Sequence, residues 1–202
     1  MKTMEIVIAS KNLHKMREFR DMLKSFKHID VLSILNFPHY ELPGETGNTF
    51  KDNAILKATH AAASLNKIVL ADDSGLIVPS LEGAPGINSR RYAGDDATDA
   101  ENRNKLLKEL QGKNEHERSA YFECCLALAS PDKLIKCVSG TCEGMILKEE
   151  RGRNGFGYDS LFVKSDYDKS FAELEEATKN RISHRRKAFE KLTATLEMMA
   201  AT

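Results

Sequence analysis

Neither sign of charge is in surplus along this 202-residue chain, in which thirty basic residues balance thirty acidic ones. A general nucleic-acid or membrane-surface binder would favour a basic excess, so the balance argues against both. Long hydrophobic runs are also missing. The opening MKTMEIVIAS holds only a short apolar stretch before Lys11, too short for a signal-peptide core or a membrane span, and no later run is long enough. A cytoplasmic setting is the expectation. None of the four cysteines, Cys124, Cys125, Cys137 and Cys142, stands in CxxC spacing. That disfavours a zinc site and suits reduced, mostly buried thiols. Two phosphate signatures are absent as well: GxxxxGK[ST] occurs nowhere, and Gly155-Phe156-Gly157-Tyr158-Asp159 lacks the GxGxxG spacing.

What is present reads as one α/β domain over residues 1–202, in one lobe or two tightly joined lobes, with 41% apolar residues and no repeat or linker. Glu5–Ala9 predicts a first strand, followed by an amphipathic helix through Leu13, Met16, Phe19, Met22, Leu23 and Phe26, with Ser10 or Asn12 as its cap. Residues 36–48 predict a loop. An alanine-rich helix follows from Phe50 to Asn66, capped by Asn48 or Thr49. Thr98-Asp99-Ala100-Glu101 fits a capping box opening a third helix. Arg118–Ala129 and Leu134–Leu147 read as a long hairpin, Ser160–Val163 as a short strand, and the chain closes on a helix through Phe189, Leu192, Leu196 and Met199. The hairpin points to a mixed sheet.

Four stretches could carry chemistry. In IVLADDSGLIV, Asp72 and Asp73 interrupt two apolar runs, on what reads as a strand passing into a turn. Buried charge is costly unless offset, so one of the pair could hold a divalent ion, with Glu45 as a second ligand. A polar Asx turn at Asp73-Ser74-Gly75 accounts for the same residues. Ser10-Lys11-Asn12-Leu13-His14-Lys15 feeds a helix N-terminus, which suits phosphate, although taken alone these residues favour an ordinary capped helix with a surface lysine. Phe156 and Tyr158, spaced by Gly157, could stack on a base while Asp159 accepts hydrogen bonds from it; a packed turn is the alternative. Finally, Lys179–Lys187 (KNRISHRRK) places Ser183 as a cap, with His184 and Arg185 in a helix first turn, an odd choice for stability because cations are unfavourable there.

Taken in order, SKNLHKMRE, GETGNTFKDNAILKA, LADDSGLIV, GAPGINSRRYAG, NGFGYDSLF and KNRISHRRKA resemble the Ham1/RdgB-like non-canonical purine nucleoside triphosphate pyrophosphatases, also called inosine triphosphate pyrophosphatases. The resemblance implies an elongated, two-lobed α/β fold around a long mixed β-sheet, a nucleotide between the lobes, and a homodimer. It implies Mg²⁺-dependent cleavage of ITP, dITP and XTP to monophosphate and pyrophosphate, removing these nucleotides from the pool that feeds DNA and RNA. It also implies roles for individual residues. Ser10, Lys11, Asn12, Leu13, His14, Lys15 and Lys57 would hold phosphates. Glu45 and Asp73 would bind metal, with Asp73 also taking the proton and Asp72 a supporting ligand at most. Ser74 would touch the substrate, and Phe156, Gly157, Tyr158, Asp159, Lys179, His184 and Arg185 would enclose and read the base. The chain departs from the commoner pattern at Lys11, His14, Arg90 and Ser160. A related Maf-type hydrolase and a non-catalytic nucleotide sensor are the competing expectations.

Overall fold

The computed structural model describes residues 3–200. Its strands are β1 (Met4–Ile8), β2 (Ile29–Ser33), β3 (Ile68–Ile77), β4 (Ser119–Ser130), β5 (Lys133–Ile146) and β6 (Phe162–Lys164). Its helices are α1 (Leu13–Leu23), α2 (Phe50–Leu65), α3 (Asp99–Glu109), α4 (Glu176–Ile182), α5 (His184–Glu190) and α6 (Thr193–Ala200). The strands hydrogen-bond in the order β2-β1-β3-β4-β5-β6. Parallel pairs join β1 to β2 and to β3, whereas β5 and β6 run antiparallel, so the sheet is mixed, as expected. No helix among the described residues is long and apolar enough to cross a membrane.

Contacts divide the chain into two compact units. The first runs to Asp73 and takes in Cys124–Gly140 and the chain from Arg185 onward; the second comprises Ser74–Glu123 and Thr141–His184. In the first, alternate residues of β1 and β4 (Ile6 and Ile8; Cys124, Leu126 and Leu128) turn one face to Phe19 and Leu23 of α1 and to Phe189, Leu192 and Leu196. The second packs Leu76, Val78, Phe122, Ile146 and Phe162 against Leu106 and Leu110, with Phe171 stacked parallel to Phe122. No disulfide joins the cysteines, of which three are buried and Cys137 is half-buried.

The caps follow the local chemistry. Asn12 opens α1, Thr49 opens α2, and Thr98 with Glu101 closes a capping box at α3. Other features differ from the sequence expectation. β2 and α4 were not foreseen, β6 begins two residues late, and the closing helix is broken into α5 and α6. The main correction concerns the two acids. Asp72 and Asp73 lie inside one continuous ten-residue strand, not where a strand turns, and that strand sits between β1 and β4. Pairing on both sides overrides the turn preference of Asp-Ser-Gly.

Candidate active site

Within β3, successive side chains leave on opposite faces, so Asp72 and Asp73 enter different surroundings. Asp73 meets α2. Its Oδ1 accepts from Lys57 Nζ at 2.7 Å, and its Oδ2 accepts from Asn53 Nδ2 at 3.2 Å. Asn53 and Lys57 stand four residues apart on α2 and so share one helix face. The same ammonium donates to Glu45 Oε1 at 3.0 Å. Glu45, Lys57 and Asp73, which sequence reading nominated, are thus brought together.

Burial raises the Asp73 carboxyl, Lys57 opposes it and the nearby Glu45 reinforces it, leaving the group pushed up to about 6. For Lys57, burial acts to lower the value, but Asp73 and Glu45 outweigh it and the ammonium is held above its ordinary range. Two carboxylates converging on one cation are the donor type a Mg²⁺ ion takes, which completes its shell with water and substrate phosphates. Among the described residues no third His, Cys, Asp or Glu joins them in a metal-holding group. The fit of the pair to such an ion rests on its oxygen donors alone.

Asp72 faces a different set of partners. Its Oδ1 is ion-paired with Lys15, and its Oδ2 accepts from Arg185 Nε at 2.9 Å and from the Cys124 thiol at 3.0 Å. Arg185 is in turn ion-paired through Nη1 with Glu18 of α1. Burial would raise Asp72, but Arg185 and Lys15 overcome it and hold the carboxyl well below the usual range. The Arg185 side chain is only 2% exposed. The guanidinium, which the resemblance assigns to the base, is paired with Asp72 and Glu18 inside the first unit.

The Ser10–Lys15 loop is likewise partly committed. Asn12 Oδ1 accepts the backbone N–H groups of His14 (2.9 Å) and Lys15 (3.2 Å), and Ser10 Oγ accepts that of Asn12 (3.2 Å). Two amides expected to face phosphate thus serve the cap instead. Lys11, Leu13 and His14 are exposed, and Lys15 is half-buried against Asp72.

In the second unit, Asp159 Oδ2 accepts from the Phe156 amide at 2.8 Å and from Lys179 Nζ at 2.5 Å, and the Lys179 ammonium lies 4.6 Å from the Phe156 ring centroid. Phe156, Asp159 and Lys179 therefore form one cluster. Gly157 is clamped to α3, its N–H donating to Asp99 Oδ2 at 2.7 Å and its C=O accepting from Arg103 Nη1 at 2.9 Å. Tyr158, for which stacking on a base and a packed turn were the two expectations, has its ring in the core, and its hydroxyl donates to Ser89 C=O at 2.9 Å. His184 is buried and stacked on Phe122, with centroids 4.8 Å apart and planes at 15°. Ser74 is half-buried on β3.

Sequence reading missed Asn53, Glu18, Cys124, Asp99 and Arg103 as parts of these clusters. Only two had a local signal: Asn53 lies one helical turn before Lys57, and the Thr98 box put Asp99 in a first turn. Residues 6–195 match the family model described as the Ham1 family. The chain belongs to the Ham1 family. A relative named dITP/XTP pyrophosphatase from Protochlamydia amoebophila is 66% identical over 96% of this chain and 98% of its own length. Another of the same name, from Bacillus licheniformis, is 48% identical over 96% of this chain and 98% of its own. Among solved structures, the Ham1 protein of Staphylococcus aureus superposes with a TM-score of 0.85 at 43% identity, covering 96% of this chain and 99% of that one. The HAM1 protein of Coxiella burnetii gives 0.87 at 41% identity, over 97% and 100%. The Ham1 resemblance read from the six motifs is therefore correct, and so is the α/β class with a mixed sheet.

Proposed function

We propose that this chain hydrolyses dITP, ITP and XTP to the nucleoside monophosphate and pyrophosphate, keeping such nucleotides out of DNA and RNA. The observation that carries the reading is the Glu45–Lys57–Asp73 cluster, in a Ham1 chain whose relative at 66% identity is named for that activity. Glu45 and Asp73 would hold Mg²⁺, which when bound neutralises phosphate charge and acidifies water. Lys57 and Lys15 offer positive charge to the triphosphate, and each is already poised beside a carboxylate it can leave. Asp73, a carboxylate beside the proposed metal position, is the candidate base. It takes a proton from the attacking water as that oxygen bonds to the α-phosphorus. The bond from the α-phosphorus to the bridging oxygen then breaks, and pyrophosphate departs with the electron pair.

A separate group of residues is proposed for the base. Phe156 offers a ring face, and Lys179, Asp159 and His184 offer polar contacts. A purine with a carbonyl at position 6 accepts a hydrogen bond where adenine would present a donor, and the mismatch costs about 1–3 kcal/mol. Lys179→Met is expected to raise KM for dITP roughly tenfold, with a smaller change in kcat, because it removes a charged donor from the base cluster. Steady-state kinetics checks this, and an unchanged KM would take Lys179 out of substrate contact. A homodimer belongs to the same proposal, with light scattering as its test. The position of cleavage tests the reaction itself. Monophosphate and pyrophosphate should form in equal amounts from dITP, whereas diphosphate and orthophosphate would overturn the proposal.

A further inference from the structure

We infer that Asn53 is the positioning residue that fixes the spacing between Glu45 and Asp73, an inference that rests on the proposed metal-holding role of that pair. The Asn53 side chain is fully buried and bonded at both ends. Its Oδ1 accepts the backbone N–H of Gly47, two residues after Glu45, at 2.8 Å. Its Nδ2 donates to Asp73 Oδ2 at 3.2 Å. One amide therefore ties the loop that carries Glu45 to the strand that carries Asp73. No aspartate, serine or leucine at this position could donate to the carboxylate and accept from the loop in the same geometry.

Gly47 is built for the same contact. A Cβ there would lie 2.6 Å from Asp52 Cβ and 2.7 Å from Asn53 Oδ1, so the loop can come this close to α2 only without a side chain. Lys57 cannot replace the bridge, because a single ammonium on a flexible stem attracts both carboxylates without setting their separation. Asn53 leaves the two acids at one spacing before any cation arrives. Such support of a ligand by its outer neighbour is the kind whose loss weakens metal affinity by about ten- to a hundredfold.

The test uses Mn²⁺ as a spectroscopic stand-in for Mg²⁺, with binding to the full chain followed by electron paramagnetic resonance in the absence of nucleotide. Asn53→Ala and Gly47→Ala are each expected to weaken Mn²⁺ binding roughly tenfold. In Asn53→Ala the Gly47 amide should also exchange with solvent deuterium faster. In Asn53→Asp, which keeps an acceptor for Gly47 but no donor for Asp73, that amide should stay protected. At saturating Mg²⁺, kcat of the alanine variants should recover toward the parent value, because Asn53 acts through the spacing of Glu45 and Asp73 and not on the substrate. Unchanged Mn²⁺ affinity in folded Asn53→Ala, or in Gly47→Ala should the first variant not fold, would overturn the inference. A parent protein that binds Mn²⁺ but releases no pyrophosphate from dITP or XTP would sink the proposed activity and leave the role of Asn53 standing.

Discussion

Asp73→Asn is expected to lower turnover of dITP by roughly a hundredfold to ten-thousandfold, the range that a positioned general base contributes. The substitution is nearly isosteric, and the new side chain still offers an oxygen to Lys57, so the packing of β3 against α2 should persist. Stability provides the control, and its sign follows from the raised value. The carboxyl sits at about 6 in the folded chain against an ordinary 3.8, so the folded state holds the proton more tightly. Its favourable contribution is complete below about 3.8 and is lost as pH rises through about 6. At pH 8 the metal-free protein therefore carries an ionised Asp73 at a net cost. Asp73→Asn should melt no lower than the parent there, and higher if the Lys57 contact is kept. Near-normal turnover would remove Asp73 from the chemistry, and a collapsed melting temperature would show that the loss of activity was a loss of fold.

Arg185→Leu is expected to destabilise the protein by about 3–5 kcal/mol, the cost of breaking a buried ion pair by removing one partner. Asp72 and Glu18 would be left buried, with the Lys15 ammonium and the Cys124 thiol on Asp72 as partial compensation. The pH dependence gives a sharper signature. In the parent chain Asp72 is held well below 3.8, so its contribution is complete from that point upward and does not change between pH 5 and 8. Without Arg185, burial drives the Asp72 carboxyl upward, and stability is lost as pH rises through its new value. The gap between variant and parent should thus widen from pH 5 to pH 8, measured by denaturant unfolding at both. An unchanged unfolding midpoint with altered preference between dITP and dATP would mean instead that Arg185 contacts the base.

These two residues also mark the limit of what could be read before the fold was known. Caps, the α2 face and the β4–β5 hairpin were legible because each depends on residues within a few positions of one another: Thr98 and Glu101 find each other across one turn. The Glu45–Lys57–Asp73 set was recovered through the order of motifs, since composition shows no metal-ligand spacing. β2 was missed because Ile29–Ser33 is five residues long and its stability comes from pairing with β1. The continuity of β3 was missed for a related reason, since Asp-Asp-Ser-Gly has turn chemistry and only neighbouring strands keep it extended. Arg185 took its expected role from the resemblance alone, and its partner Glu18 lies at the other end of the chain. No local pattern announces such a pair.

Glu45, Lys57 and Asp73 are proposed as the centre of a Mg²⁺-dependent pyrophosphatase selective for purines such as those of dITP and XTP. The most direct test of this assignment is pyrophosphate release from dITP, XTP, dGTP and dATP at equal concentration, with and without Mg²⁺. Release from dITP and XTP, strong dependence on Mg²⁺, and little turnover of dATP, whose base presents a donor at position 6, are expected. Equal turnover of all four, or release that persists after chelation, would contradict the assignment.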